Sequence, residues 1–252
     1  MTLPPPPPTL AAPRPTHVLV VDVGGTHIKL LATDRPAPVK LDSGPTLTAE
    51  RMVAAVRQAT SDWEYQAVSM GYPGPVRQGH PAADPHNLGP GWVGFDYEGA
   101  FGRPVRIMND AAMQALGSYQ GGRMLFLGLG TGLGSAMVIE GIVQPLELAH
   151  LPYRRGYTFE EYVGVAGLER LGRRRWRRCV ADVTERLAEA MQADYVVLGG
   201  GNSKKLDELP RGARLGANAN AFAGGFRLWE PAEGMPGTTV PVSGTGEPAP
   251  AG

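Results

Sequence analysis

The sequence predicts an α/β protein in two lobes around a cleft, and three observations predict it. Two Gly-rich segments, VLVVDVGGTHIKLLAT at 18–33 and MLFLGLGTGLGSAMVI at 124–139, resemble each other across a separation of 106 residues. Each is an apolar run, a Gly/Thr turn and a second apolar run, the pattern of two buried strands joined by a tight turn. A β-β-α-β-α order opens at the first segment and partly repeats from the second. The length of 252 residues suffices for one large core or two smaller ones.

The elements follow in order. Strand, turn and strand fill 18–33. Residues 48–60 (TAERMVAAVRQAT) set Met52, Val53 and Val56 at helical spacing and predict a helix. Residues 67–71 read as a short strand running into GYPGPV. Residues 77–102 are rich in Gly, Pro and Asn, with Trp92, Phe95 and Tyr97 scattered through them, which predicts a loop wrapping a site. A strand at 105–108 leads to Asp110 at the N-cap position of an Ala-rich helix over 111–119. After the second hairpin, 167–192 form a long helix with Leu168, Leu171, Val180, Val183, Leu187 and Met191 on its apolar side. A strand at 195–198 ends in GGGNSKK, and 218–229 form a last helix. The expected organisation is a Pro-rich tail at 1–16, an N-terminal α/β lobe at 17–108, a C-terminal α/β lobe at 109–217, a terminal helix at 218–230 that could return to the N-terminal lobe, and a second tail at 231–252.

Composition narrows the function. With 24 basic and 24 acidic residues the net charge is zero, so the global footprint of a nucleic-acid binder is missing. Cys179 is the only cysteine, which rules out an internal disulfide and a Cys-built zinc site. No apolar run approaches the roughly 20 residues of a membrane span. The opening MTLPPPPPTLAAPRP lacks a basic region followed by an apolar stretch, so a cytoplasmic location is expected. Residues 4–8 read as polyproline II, and both Pro-rich ends as disordered.

The P-loop, the G-x-G-x-x-G turn and the G-x-S-x-G elbow are all absent. A phosphate would therefore be held by the strand–turn–strand hairpins, whose glycines let backbone N–H groups approach it. Asp110, at a strand end beside Asn109, is either a plain helix cap or a base for a sugar hydroxyl. Glu147 and His150 lie three apart and would share one face of a helical turn, as sugar ligands or as a metal pair. Asp22 ends a buried strand and needs a partner there. Lys29 is a phosphate ligand or a solvated strand residue. Five arginines (Arg173, Arg174, Arg175, Arg177, Arg178) surround Trp176. They form a solvated face near Glu169, Asp182 and Glu185, or a track for a polyanion that Lys204 and Lys205 would extend.

Six motifs in order, DVGGTHIK at 22–29, GYPGPV at 71–76, MND at 108–110, GTGLGSA at 130–136, ELAH at 147–150 and LGGGNSKK at 198–205, resemble the ROK family of bacterial sugar kinases and sugar-responsive repressors. Within it they look most like the polyphosphate/ATP glucokinases. The resemblance implies the actin/hexokinase-like (ribonuclease H-like) fold and transfer of a phosphoryl group from ATP or polyphosphate to a hexose. It makes Asp110 the catalytic base, and Gly74, Asn87, Asn109, Glu147, His150 and Glu160 (or its neighbour Glu161) the sugar site. Asp22, Gly24, Gly25, Thr26 and Lys29 in the first turn, Gly130, Thr131 and Gly132 in the second, and Gly200 and Gly201 would hold the donor. Asp22 would position magnesium through water. By analogy, a homodimer is an expectation.

The departures are specific. The family's Cys-rich zinc loop cannot exist here, since 154–159 occupy that region without a cysteine. Ala149 replaces a usual glycine, and the extra methyl could crowd its turn or be harmless. Only 17 mostly Pro-rich or small residues precede Val18, so no DNA-binding helix-turn-helix is expected. A silent sugar sensor and a polyphosphate hydrolase remain the alternative functions.

Overall fold

A computed structural model describes residues 14–230 apart from residue 218. Residues 1–13 of the tail predicted at 1–16, and all of the tail predicted at 231–252, lie outside the described residues. The chain forms β1 (Val18–Val23), β2 (His27–Ala32), β3 (Val39–Asp42), α1 (Ala49–Ala59), β4 (Ala67–Tyr72), β5 (Val76–Arg77), β6 (His80–Pro81) and α2 (Tyr97–Phe101). It continues through β7 (Val105–Asn109), α3 (Asp110–Ser118), β8 (Arg123–Leu129), β9 (Leu133–Ile139) and β10 (Ile142–Leu146). The last elements are β11 (Pro152–Arg154), β12 (Tyr157–Thr158), α4 (Phe159–Val163), α5 (Val165–Ala190), β13 (Tyr195–Gly199), β14 (Ala213–Leu215) and α6 (Asn220–Arg227).

The two hairpins each nucleate a five-stranded sheet, in the orders β3-β2-β1-β4-β7 and β10-β9-β8-β13-β14. In both, an antiparallel meander is extended by two parallel strands. The sequence repeat is therefore a repeat of whole sheets. β1 is buried along its entire length because both its faces are covered. Leu19, Val21 and Val23 pack towards Met52, Val53 and Val56 of α1, and Val18 and Val20 towards Phe222 of α6. β8 is split the same way. Leu125 and Leu127 face Trp176, Val180 and Val183 of α5, while Met124 and Phe126 face Ala112 and Ala115 of α3.

α3 and α6 make the layer between the sheets: α3 packs on β8, β9 and β10, and α6 on β1 and β4. Glycines set how closely these helices cross. A Cβ on Gly117 would fall 1.8 Å from the Asn220 carbonyl oxygen, and one on Gly224 would fall 1.8 Å from that of Met113. Beyond α6, Trp229 Nε1 donates to the buried Ser69 hydroxyl at 2.9 Å, and that hydroxyl donates to the Gly225 carbonyl at 2.6 Å.

Several expectations need correction. Residues 77–102 are not all loop. They close the β5–β6 hairpin and contain α2, whose first turn is capped by Asp96. The short edge strands β3, β10 and β14 carry few buried side chains, so hydrophobic patterning does not reveal them. The long helix starts at Val165 and is broken at Gly172 (φ 71°, ψ 157°), a left-handed position that suits glycine. The last helix begins at Asn220, and residue 218 is outside the described residues.

Candidate active site

The parallel strands β1, β4 and β7 bring Asp22, Gly71 and Met108 side by side at their C-terminal ends. Ligands in open α/β sheets bind at this edge. The chain turns there from β7 into α3. Asn109, not Asp110, caps the helix: its Oδ1 accepts from the Ala111 and Ala112 amides at 3.0 and 3.2 Å. Its Nδ2 donates to the Gly74 carbonyl at 3.0 Å, which ties GYPGPV to the same corner. The cap role thus falls one residue earlier than the sequence suggested, and Asp110 opens the helix itself.

Asp110 is partly buried, and its Oδ1 accepts from the Ala111 amide at 2.7 Å. Burial pushes its pKa up to about 6, and the Asp22 carboxylate adds to this. The Ala111 amide and Lys29 pull the other way. Asp22 is 6% exposed, and the partner it requires is Lys29, whose Nζ donates to Oδ2 at 2.9 Å. Lys29 is therefore partly solvated and already paired, and is not free for phosphate in this state.

A cavity of about 610 Å³ opens in front of Asp110. Of the predicted sugar ligands, Gly74, Asn109, Glu147, His150 and Glu160 all line it. Glu147 immediately precedes a 3-10 turn, Leu148–His150, so the pair brackets the turn rather than sharing it, and Ala149 is buried in the core beneath. Of the two neighbouring glutamates, only one lines the cavity. Glu161 is held in a capping box with Thr158, whereas Glu160 faces the cavity and accepts from the Leu133 amide at 3.1 Å. Asn87 is not part of this lining. It lies beside the first turn, where a Cβ on Gly25 would come within 3.4 Å of it.

The second Gly-rich turn lines the cavity through Gly130, Thr131 and Gly132, and Gly200 joins it. One donor assigned to phosphate, and one hydroxyl just beyond the turn, are already used. The Gly130 amide donates to the Gly132 carbonyl at 3.1 Å, and the Ser135 hydroxyl donates to the Leu146 carbonyl at 2.8 Å. Gly200 (φ 80°) rests on β8, where a Cβ would fall 2.4 Å from the Leu129 carbonyl. Asn202 locks the two turns together through Nδ2 to the Gly130 carbonyl at 2.9 Å. Gly201 and all five first-turn residues, Asp22, Gly24, Gly25, Thr26 and Lys29, lie outside the lining. The first turn is braced from behind: the Gly24 amide donates to the His27 carbonyl at 3.0 Å, and the Ser43 amide to the Thr26 carbonyl at 3.0 Å.

Gln114 and Arg77 are among the lining residues that escaped the sequence reading. Gln114 lies one helical turn after Asp110, a position that 3.6-residue periodicity would have flagged. Arg77 enters through the β5–β6 hairpin, which carries no such signal. In the arginine run, Arg177 pairs with Asp207 and donates through Nε to the Lys205 carbonyl at 2.7 Å. Asp182 is engaged by Arg154 and Arg186 instead. Among the described residues, no carboxylate pairs with Arg173, Arg174, Arg175 or Arg178. Among the same residues, no group of three or more His, Cys, Asp or Glu could hold a metal ion, and no helix is long and apolar enough to cross a membrane.

The chain is similar to the polyphosphate glucokinase of Mycobacterium tuberculosis (strain CDC 1551 / Oshkosh), 26% identical over 227 residues, covering 79% of this chain and 83% of that protein. Among solved structures, the inorganic polyphosphate/ATP-glucomannokinase from Arthrobacter sp. strain KM matches with a TM-score of 0.70 at 22% identity, over 84% of this chain and 98% of that one. A ROK family glucokinase from Streptomyces griseus, solved with glucose and AMPPNP, matches with a TM-score of 0.66 at 19% identity, over 84% and 98%. The fold is thus the actin-like/hexokinase-like one. The ROK family model matches residues 18–145, a stretch that takes in both Gly-rich turns and the Asn109–Asp110 corner: the chain belongs to the ROK family.

Proposed function

We propose that the protein is a hexose kinase that phosphorylates the 6-hydroxyl of glucose or a close relative. One observation carries this reading. Asp110, with its lifted pKa, shares one cavity with the polar trio Glu147, His150 and Glu160 on one side and the Gly130–Thr131–Gly132 turn on the other. Carboxylates accept from sugar hydroxyls and an imidazole can do either, so the trio suits a polyol. Asp110 takes the proton of the attacking hydroxyl as its oxygen bonds to the terminal phosphorus and the bond to the leaving phosphate breaks. Closure of the lobes over the cavity excludes water as a competing acceptor.

The residues present fit magnesium bound with the donor. Asp22 offers one hard carboxylate oxygen edge, and the ion would complete its shell with water and phosphate oxygens, as magnesium commonly does. When bound, it neutralises charge on the transferring phosphoryl group. Asp22 would hold its waters, and Lys29 would move from Asp22 towards the donor.

Polyphosphate as donor is supported by the relatives' names and by four arginines that have no carboxylate partner among the described residues. Arg177 ties their helix to Lys205, which follows the cavity-lining Gly200 by five residues. Incubation of the purified protein with a hexose panel, magnesium and either ATP or polyphosphate tests the whole reading. Glucose 6-phosphate is the expected product, and a panel that yields no sugar phosphate overturns it. Arg174→Glu with Arg178→Glu should raise the polyphosphate KM and leave the ATP KM unchanged. Equal effects on both donors would remove the arginines from donor binding.

A further inference from the structure

Glu160 and His150 sit on short elements with little regular structure of their own. The 3-10 turn Leu148–His150 runs into the β11–β12 hairpin, which runs directly into the five-residue helix α4. Neither a two-stranded hairpin nor a one-turn helix is stable alone in water. Something outside the segment must hold it.

β9 supplies part of that hold, through the Leu133 amide on Glu160 at 3.1 Å and the Leu148 amide on the Ser135 hydroxyl at 3.2 Å. α5 supplies another part, and its grip centres on Asp182. One carboxylate oxygen, Oδ2, accepts from three donors: the Tyr153 hydroxyl at 2.6 Å, Arg154 at 3.1 Å and Arg186 Nε at 2.9 Å. The Tyr153 ring carries the grip onward. It packs against Phe159 at 5.2 Å between centroids and edge-on against Tyr162 at 4.9 Å, both on α4. Arg154 and Arg186 stack on the Tyr153 ring at 4.7 and 6.0 Å. On the far side Arg170 covers Tyr157 and Tyr162 at 4.9 and 4.8 Å and donates to the Glu161 carbonyl at 2.7 Å. Between Phe159 and Tyr162 on the same helix stands Glu160, which faces the cavity.

We infer that Asp182 is a positioning residue for the sugar: through Tyr153 it fixes the hairpin and α4, and so sets where His150 and Glu160 meet the substrate. The inference rests on the sugar-kinase reading above. Charged hydrogen bonds and stacked rings here do the work of a crosslink between α5 and the sugar-binding segment. Asp182 lies outside the cavity lining and touches no substrate.

Asp182→Asn and Tyr153→Phe test it, because each removes the charge or the hydroxyl and keeps the packing. Each should raise the hexose KM about tenfold, the usual scale for a lost charge-assisted hydrogen bond, with the donor KM and kcat within about twofold. The double variant should match the single ones, since both cut the same link. Hydrogen exchange over 148–163 should accelerate in all three while exchange in β8 and β13 stays unchanged. Unchanged exchange over 148–163 in an active enzyme overturns the inference alone, as does faster exchange with an unaltered hexose KM. A parallel loss of kcat and both KM values would mean a merely structural role and also overturns it. A wild-type chain that phosphorylates no hexose overturns the reading beneath it, and the inference with it.

Discussion

Lys29 Nζ stands 2.9 Å from Asp22 Oδ2, and this pair is what makes a carboxylate tolerable at the buried end of β1. The two residues face each other across the β1–β2 pairing, so the hairpin that presents Asp22 also brings its counter-ion. Lys29→Met leaves the Asp22 charge without its partner. The Lys29 side chain is 34% exposed and solvent screens part of the interaction, so the expected loss of stability is about 1–3 kcal/mol, read by denaturant unfolding. Adding Asp22→Asn should restore most of it, because the uncompensated charge is then gone.

Asp110→Ala should lower kcat by about 10²–10⁴-fold, the range for a lost general base. Hexose affinity, read by calorimetry, should change little, because Glu147, His150 and Glu160 remain in place. A kcat near wild type would assign the proton transfer to another group.

The pH dependence follows from the lifted pKa of Asp110. A base must be unprotonated, so kcat/KM should fall tenfold per unit below about pH 6 and be flat above it. The stability effect has the opposite sense from a salt-bridged carboxylate. Between the ordinary value of 3.8 and about 6 the folded state holds a proton that the unfolded state has released. Stability contributed at this site therefore falls as pH rises through that window. Asp110→Asn should raise the melting temperature at pH 7, and the gain should vanish below about pH 4.

Gly117→Ala inserts a methyl group where the Asn220 carbonyl oxygen already stands, 1.8 Å from the new carbon. Forcing α3 and α6 apart should cost about 3 kcal/mol, or roughly 5–10 °C in melting temperature. Because α3 begins at Asp110, kcat should drop with it even at temperatures where the variant remains folded.

Much of this arrangement was legible in the sequence for a physical reason. Buried strands such as β1 and β8 must be apolar on both faces, and their connecting turns must be glycine-rich, so both leave a local signature. Asp110, Glu147 and His150 could be singled out in the sequence by residue type and motif, and the fold brings them to one cavity. Lys29 as partner to Asp22 was not legible, since the pairing depends on register across a hairpin rather than on spacing. The spent Gly130 amide and Ser135 hydroxyl were hidden similarly, because hydrogen-bond partners within a turn or across to β10 leave no trace in composition. The break at Gly172 was masked by the apolar residues on either side of it, which keep a helical rhythm through the interruption.

The packing of α6 on β1 has a bearing on how the chain is made. Val18 and Val20 are among the first described residues, and Ala221 and Phe222 that cover them are among the last. During synthesis part of that face of the first sheet stays uncovered until residues 221 and 222 have left the ribosome. Such sequence-distant closure slows folding and exposes apolar surface to other chains in the interval. The final turn, in which Trp229 reaches back to Ser69, then works as a late latch. Truncation before Asn220 should therefore yield an aggregation-prone product rather than a smaller soluble one.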